Sequence, residues 1–242
     1  QQKWFTAHWK GQLPWRDENG KVIPDFLNIA MRRTQRYKSL MNIYDGNRDS
    51  VNHYLRKKYR MPVFTWQGEK EMLMSPLDSL AYYKRYLQAG FMAMNPLNGQ
   101  IKAWVGGTNY KFFKFDHVRQ GKRQPGSAFK GIVYTAAMAS RELTPATICS
   151  DTPIVMRDPW TGEAWKPKNF EADNFDGDLI LRTALARSKN TCSVKVLEKI
   201  GVDAAITMAA SLGIDENLPK NLTLALGTGE VTPLELTNAY AT

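Results

Sequence analysis

Two cysteines in 242 residues are too few for a disulfide framework. Cys192 falls in a helical pattern beside Val194 and Val196, which reads as a buried free thiol. The three histidines, His8, His53 and His117, lack metal-ligand spacing, so neither a metal site nor a cofactor is expected. No apolar run approaches the ~18–20 residues that span a bilayer, and no signal peptide is visible. Because the chain starts at Gln1 rather than Met, it reads as a piece of a longer protein, whose anchor would lie elsewhere. Acidic residues are scarce: 23 against 33 basic ones, a formal charge of +10. The excess is clustered at Arg32, Arg33, Arg36 and Lys38, at Arg56, Lys57, Lys58 and Arg60, and at Arg119, Lys122 and Arg123. Such clusters suit anionic lipid headgroups as well as nucleic acid, but a solvated face is the ordinary meaning, and no nucleic-acid partner is expected.

What remains is ordinary globular material, 43% hydrophobic and 23% charged, long enough to bury a sizeable core. Residues 1–72 read as a linker or pedestal. Trp4, Phe5, Trp9 and Trp15 pack an irregular or partly helical start, and a short helix runs over 47–60, capped by Asp49 or Ser50. Val63–Trp66 then forms a strand ending in a turn at Gln67-Gly68. A second region, 73–242, opens on Ser75-Pro76-Leu77-Asp78, a capping serine with proline at the first helical position. That helix should reach about Gln88, with Leu80, Tyr83 and Leu87 inward and Lys84 in solvent. Phe91–Met94 and Ile101–Val105, joined by Asn95-Pro96-Leu97-Asn98-Gly99, read as a hairpin. Thr144–Lys168, rich in breakers such as Pro145, Asp151, Pro153, Asp158, Pro159 and Gly162, reads as loop. Helical patterns follow over 179–186, from Thr191 as cap to Ile200, over 203–212, and from a capping box at Thr232-Pro233-Leu234-Glu235.

Pro125-Gly126 interrupts the chain just before an apolar run, so Ser127 sits at or inside a helix N-terminus. Lys130 follows three residues later on the same face. A hydroxyl, an amine one turn away and the free N–H groups of a helix start are what nucleophilic catalysis by serine needs. Taken alone, roughly one S-x-x-K arises by chance in such a chain, meaning an N-capping serine and a solvated lysine. The flanks say more. Arg123-Gln124-Pro125-Gly126-Ser127-Ala128-Phe129-Lys130 resembles the R-x-P-G-S-x-x-K signature of penicillin-binding proteins. Leu181 to Asn190 is similar to that family's L-R-x-A-L-x-x-S-x-N, which marks Ser188 and Asn190. Ser50-Val51-Asn52 fits S-x-N too, but lies in the N-terminal region.

Trp165-Lys166-Pro167-Lys168-Asn169 is similar to a family segment bordering the cleft, so Trp165 and Asn169 are expected to touch substrate. Asp116 to Gln120, with the signature that follows, is most like the class A members, which join this domain to a glycosyltransferase. The K-T-G strand of the family is missing. Gly227-Thr228-Gly229 has glycine where the lysine belongs and comes too early. The resemblance therefore implies an α/β transpeptidase fold, an antiparallel sheet flanked by helices, here with its first hairpin but without its C-terminal strands. Its implied activity is peptidoglycan cross-linking outside the cytoplasmic membrane. Ser127 would attack D-Ala-D-Ala, Lys130 take its proton, Ser188 relay protons and Asn190 hold lysine and substrate; β-lactams would acylate Ser127. Without the third motif this chain is expected to be impaired. Two rivals stand beside this reading: a β-lactamase or β-lactam sensor, with Glu163 or Glu171 activating water, and a non-catalytic basic module for lipid or glycan.

Overall fold

The computed structural model describes residues 13–17, 19–157, 164–170, 174–214 and 217–242. The chain forms two compact units, 1–88 and 89–242. The boundary lies later than the 72/73 break expected from sequence. The reason is packing: the helix opening at Ser75 lays Leu77 and Leu80 on the core of the first unit.

That first unit is no bare linker. Helices α1 (Phe26–Arg32), α2 (Gln35–Ile43) and α3 (Arg48–Arg56) bury Met31, Leu40, Val51 and Leu55. Val51 and Leu55, one turn apart, are 0% and 2% exposed. Thr34 caps α2 through its side chain. Asn47, not Asp49 or Ser50, caps α3: its Oδ1 accepts both their N–H groups at 3.1 Å. An Asx turn starting two residues before Asp49 satisfies two orphan donors at once. Trp15 stacks on Phe26 at 5.4 Å, while Trp4, Phe5 and Trp9 lie outside the described residues. Strands β1 (Tyr59–Thr65) and β2 (Gly68–Met74) pair antiparallel from Tyr59↔Met74 to Thr65↔Gly68. Helix α4 (Pro76–Tyr83) carries the expected capping box between Ser75 and Asp78. It stops short of Gln88, because the Tyr86 hydroxyl is drawn to Phe64 O and to the Tyr82 hydroxyl. Tertiary bonds outbid the helical pattern there.

In the second unit, β3 (Phe91–Met94) and β4 (Ile101–Val105) form the expected hairpin, with a register shift between Ala93 and Met94. A 3₁₀ turn, Gly126–Phe129, runs into α5 (Lys130–Ala139). Thr144–Lys168 is not simply loop. β5 (Ile148–Asp151), β6 (Met156–Arg157) and β7 (Ala164–Trp165) lie within it, and β5 pairs with β8 (Gly177–Ile180). Leu179 and Ile180 thus end a strand rather than begin a helix. Local breaker residues hid a pairing between segments far apart in sequence. Asp158, Pro159 and Gly162 lie outside the described residues.

Helix α6 (Leu181–Ala186) follows, then α7 (Asn190–Ile200) and α8 (Val202–Ser211). A second 3₁₀ turn, Leu222–Leu226, and α9 (Pro233–Ala241) with its Thr232–Glu235 capping box complete the chain. The core joins α5, α7 and α8: Phe129, Val133, Val194, Leu197, Ala205 and Ala209 are fully buried. Cys192 is buried and free as expected, and so is Cys149. The architecture is mixed α/β with every described strand pair antiparallel.

Candidate active site

The site begins with a glycine pair. Gly126, at φ 58°, starts the turn carrying Ser127, and its N–H donates to Gly227 O at 3.2 Å. Gly227, at φ 70°, closes the second 3₁₀ turn; a Cβ there would stand 2.7 Å from Gly126 N and closer still to Gly126 O. Only glycine fits such an approach. The segment just before is braced as well, for Arg123 and Val231 exchange two backbone hydrogen bonds at 3.0 Å. The decoy Gly227-Thr228-Gly229 therefore has a job, which is to hold the serine turn. Phe129, fully buried, anchors that turn and leaves Ser127 exposed. From the far end of the chain the Tyr240 hydroxyl donates to Ala128 O at 2.5 Å. A Cβ on Gly131 would collide with that hydroxyl.

Lys130 opens α5 and is 1% exposed. Its Nζ donates to Ser188 O at 2.7 Å, to Ser188 Oγ at 3.0 Å and to Asn190 Oδ1 at 2.6 Å. Burial pulls its pKa down to about 8. The three acceptors work the other way, giving each ammonium N–H a partner.

The turn at Ser188 is built by the end of α6. Lys189 N–H reaches Ala184 O and Ser188 N–H reaches Leu185 O, both at 2.9 Å, which is a Schellman ending. Its left-handed position is usually glycine, yet Ser188 occupies it at φ 54°. A side chain there costs about 1 kcal/mol, a local strain of the kind found at working sites. It aims both the carbonyl and the hydroxyl of Ser188 at the lysine. Lys189, rather than the expected Thr191, is the N-cap residue of α7. Asn190 is fixed from two sides: its Nδ2 donates to Lys168 O at 2.7 Å and its N–H to Asn169 Oδ1 at 2.9 Å.

Ser127, Ser188 and Asn190 line one cleft of about 560 Å³. A larger apolar groove, about 780 Å³, runs along α5 past Ile132 and Met138 and holds none of these groups. Asn169 borders the cleft, but its amide is committed, with Nδ2 donating to Asp151 Oδ1 at 2.9 Å and to Asn174 O at 3.1 Å. Trp165 is not among the cleft residues; it pairs with Met156 and packs against the core. Phe170, beside Asn169, stands fully exposed at the cleft.

Sequence reasoning passed over the ions. Lys189, the central residue of S-x-N, is buried and bridges Asp151 Oδ2 and Asp176 Oδ2, each at 2.9 Å. Asp176 also pairs with Arg187 at 3.0 Å. Asp151 is fully buried; desolvation pushes its carboxyl up, but hydrogen bonds from Thr191, Asn169, the Asp176 N–H and Lys189 outweigh that and hold it at about 2. Its alternation with Cys149 on β5 was the available signal. Glu163 and Glu171 lie outside the described residues.

Comparison with known proteins agrees with this geometry. Residues 10–87 match the penicillin-binding protein middle domain and residues 89–242 the penicillin-binding protein transpeptidase domain. Penicillin-binding protein 1A of Aquifex aeolicus is 35% identical over 213 residues, 87% of this chain and 29% of that protein. The Pseudomonas aeruginosa protein of the same name is 37% identical over 155 residues, 64% of this chain and 19% of its own. The crystal structure of penicillin-binding protein 1A from Haemophilus influenzae matches with TM-score 0.60 and 29% identity, over 75% of this chain and 26% of that one. This chain spans less than a third of these relatives. A match over residues 89–242, on top of the serine, lysine and S-x-N turn already in place, means that the chain belongs to the penicillin-binding protein transpeptidase family, with class A relatives.

Proposed function

We propose that the second unit is a serine D,D-transpeptidase that cross-links peptidoglycan stem peptides. The observation that carries this reading is the buried Lys130, held by Ser188 and Asn190 beside a cleft onto which Ser127 opens. In the resting state at neutral pH its amine is mostly charged, since about 8 lies above 7. After losing a proton it becomes a base at the root of the nucleophile's helix.

Ser127 Oγ attacks the carbonyl of the D-Ala-D-Ala bond while its proton passes to Lys130. The Ser127 N–H, at the start of the 3₁₀ turn, faces the developing oxyanion. The C–N bond then breaks, and the departing D-Ala amine takes a proton through the Ser188 hydroxyl. An amine of a second stem peptide attacks the ester and gives up one of its own protons, which passes to Ser127 as the ester C–O bond breaks and the cross-link forms. A β-lactam follows the first half only, because its leaving nitrogen stays tethered to the acyl group. Asp176, a carboxylate at this cleft, is bound to Lys189 and Arg187 and is a poor base for water. That favours a long-lived acyl-enzyme over a hydrolase. The intact protein would work on the outer face of the cytoplasmic membrane; among the described residues no helix is long and apolar enough to cross it.

Mass spectrometry of the intact protein after benzylpenicillin should show one added molecule on the peptide holding Ser127, and none in Ser127→Ala. An adduct that survives that substitution would overturn the assignment. The rate of acylation should also climb with pH. Because burial lowers the lysine from 10.5, its neutral fraction grows about tenfold per unit up to about 8 and then levels. Stopped-flow measurements from pH 6 to 10 should place the midpoint of the rise near 8; a rate still climbing tenfold per unit at pH 10 would remove the buried Lys130 as the base.

A further inference from the structure

We propose that Asp151 is the positioning residue of the Ser188–Asn190 turn, fixing Asn190 through Lys189, Thr191 and Asn169 together. This rests on the transpeptidase reading above. Asp151 ends β5 with no exposed surface, and four donors converge on its carboxylate. Thr191 Oγ1 and Asn169 Nδ2 donate to Oδ1; the Asp176 N–H at 3.0 Å and Lys189 Nζ at 2.9 Å approach Oδ2. An ionised carboxylate has about four acceptor sites, so all are taken and only the charged form satisfies them.

The pattern converges on one residue. Lys189 and Thr191 flank Asn190 in sequence, and Asn169 accepts its N–H. Each of the three ends on the same carboxylate. Asn190 in turn sets its Oδ1 at 2.6 Å from the Lys130 amine. A shift at Asp151 therefore reaches the base without any contact between them. Displacements on the order of 1 Å in such a chain cost roughly 100-fold in rate.

The isosteric Asp151→Asn replaces one acceptor with an NH₂. Placed on the Thr191 and Asn169 side, that NH₂ meets the Asn169 donor head-on. Pairing it with Asn169→Asp removes that clash: the new amide at position 151 donates, while the new carboxylate at position 169 accepts from it and from the Asn190 N–H, at the expense of the bond that Asn169 Nδ2 gave to Asn174 O. The other oxygen of residue 151 still serves Lys189 and the Asp176 N–H.

The test uses fluorescent penicillin on the intact protein, separating the acylation rate constant from the affinity of the first complex. Asp151→Asn should slow acylation about 10- to 100-fold with affinity unchanged, and the exchanged pair should recover part of the loss, the remainder reflecting the lost bond to Asn174 O. Thr191→Val, which leaves Asp151 three of its partners and spares both hydrogen bonds that hold Asn190, should slow acylation about 10-fold and serves where Asp151→Asn does not fold. Loss of thermal stability with wild-type acylation in these variants, or an exchanged pair no faster than Asp151→Asn, overturns the proposal. If the wild-type protein itself takes no penicillin, the transpeptidase reading falls instead, so the two failures are distinct.

Discussion

Lys130→Met should slow acylation of Ser127 by about 10²- to 10⁴-fold, the range in which a positioned base contributes. Methionine fills the same space, so the loss belongs to the amine. Two opposing effects act on the fold. The buried ammonium no longer has to be desolvated, while Ser188 O and Asn190 Oδ1 lose their donor. The thermal midpoint should therefore move by only a few degrees while the chemistry nearly stops. Stopped-flow acylation and a melting curve on the same sample check this. A variant that acylates at the wild-type rate would show that the proton leaves Ser127 by another route.

Gly227→Ala should damage both stability and acylation, even though residue 227 lies a hundred positions from Ser127. The added Cβ would stand 2.7 Å from the Gly126 nitrogen and closer still to its carbonyl oxygen, which are backbone atoms and not a flexible side-chain end. The left-handed φ of 70° adds about 1–2 kcal/mol. With the forced separation of the two turns, the total should be about 3 kcal/mol or more, in the tail of single-substitution effects. Denaturant unfolding measures the loss. Acylation of the folded fraction should drop as well, because the Gly126 turn carries Ser127. An unfolding midpoint equal to that of the parent would mean that the two turns are not in contact.

Most of the candidate site was legible because it is local. Ser127 with Lys130, the Ser188–Asn190 turn, both capping boxes and the hairpin at Asn95–Gly99 are each encoded within a few neighbouring residues. What escaped depends on distant segments. The β5–β8 ladder joins residues separated by a stretch of turn formers, so its strands read as loop and as helix. Asp151 was counted as a breaker, although burial among four donors is its role. Lys189 was hidden by occupying the free position of S-x-N, where no residue type is demanded. Asn169 was found by resemblance but assigned to substrate, and its amide is spent on Asp151, Asn174 and Asn190. The early break at residue 72 failed for a similar reason. A helix start can be read from its cap, but not which core its apolar face will join.

Ser188 in its left-handed position also sets a limit on how this domain can drift. Glycine would relax that backbone at once and steady the turn. The hydroxyl beside the Lys130 amine would vanish with it. The conformational penalty at this one residue is therefore what the backbone gives up to keep a hydroxyl in that place.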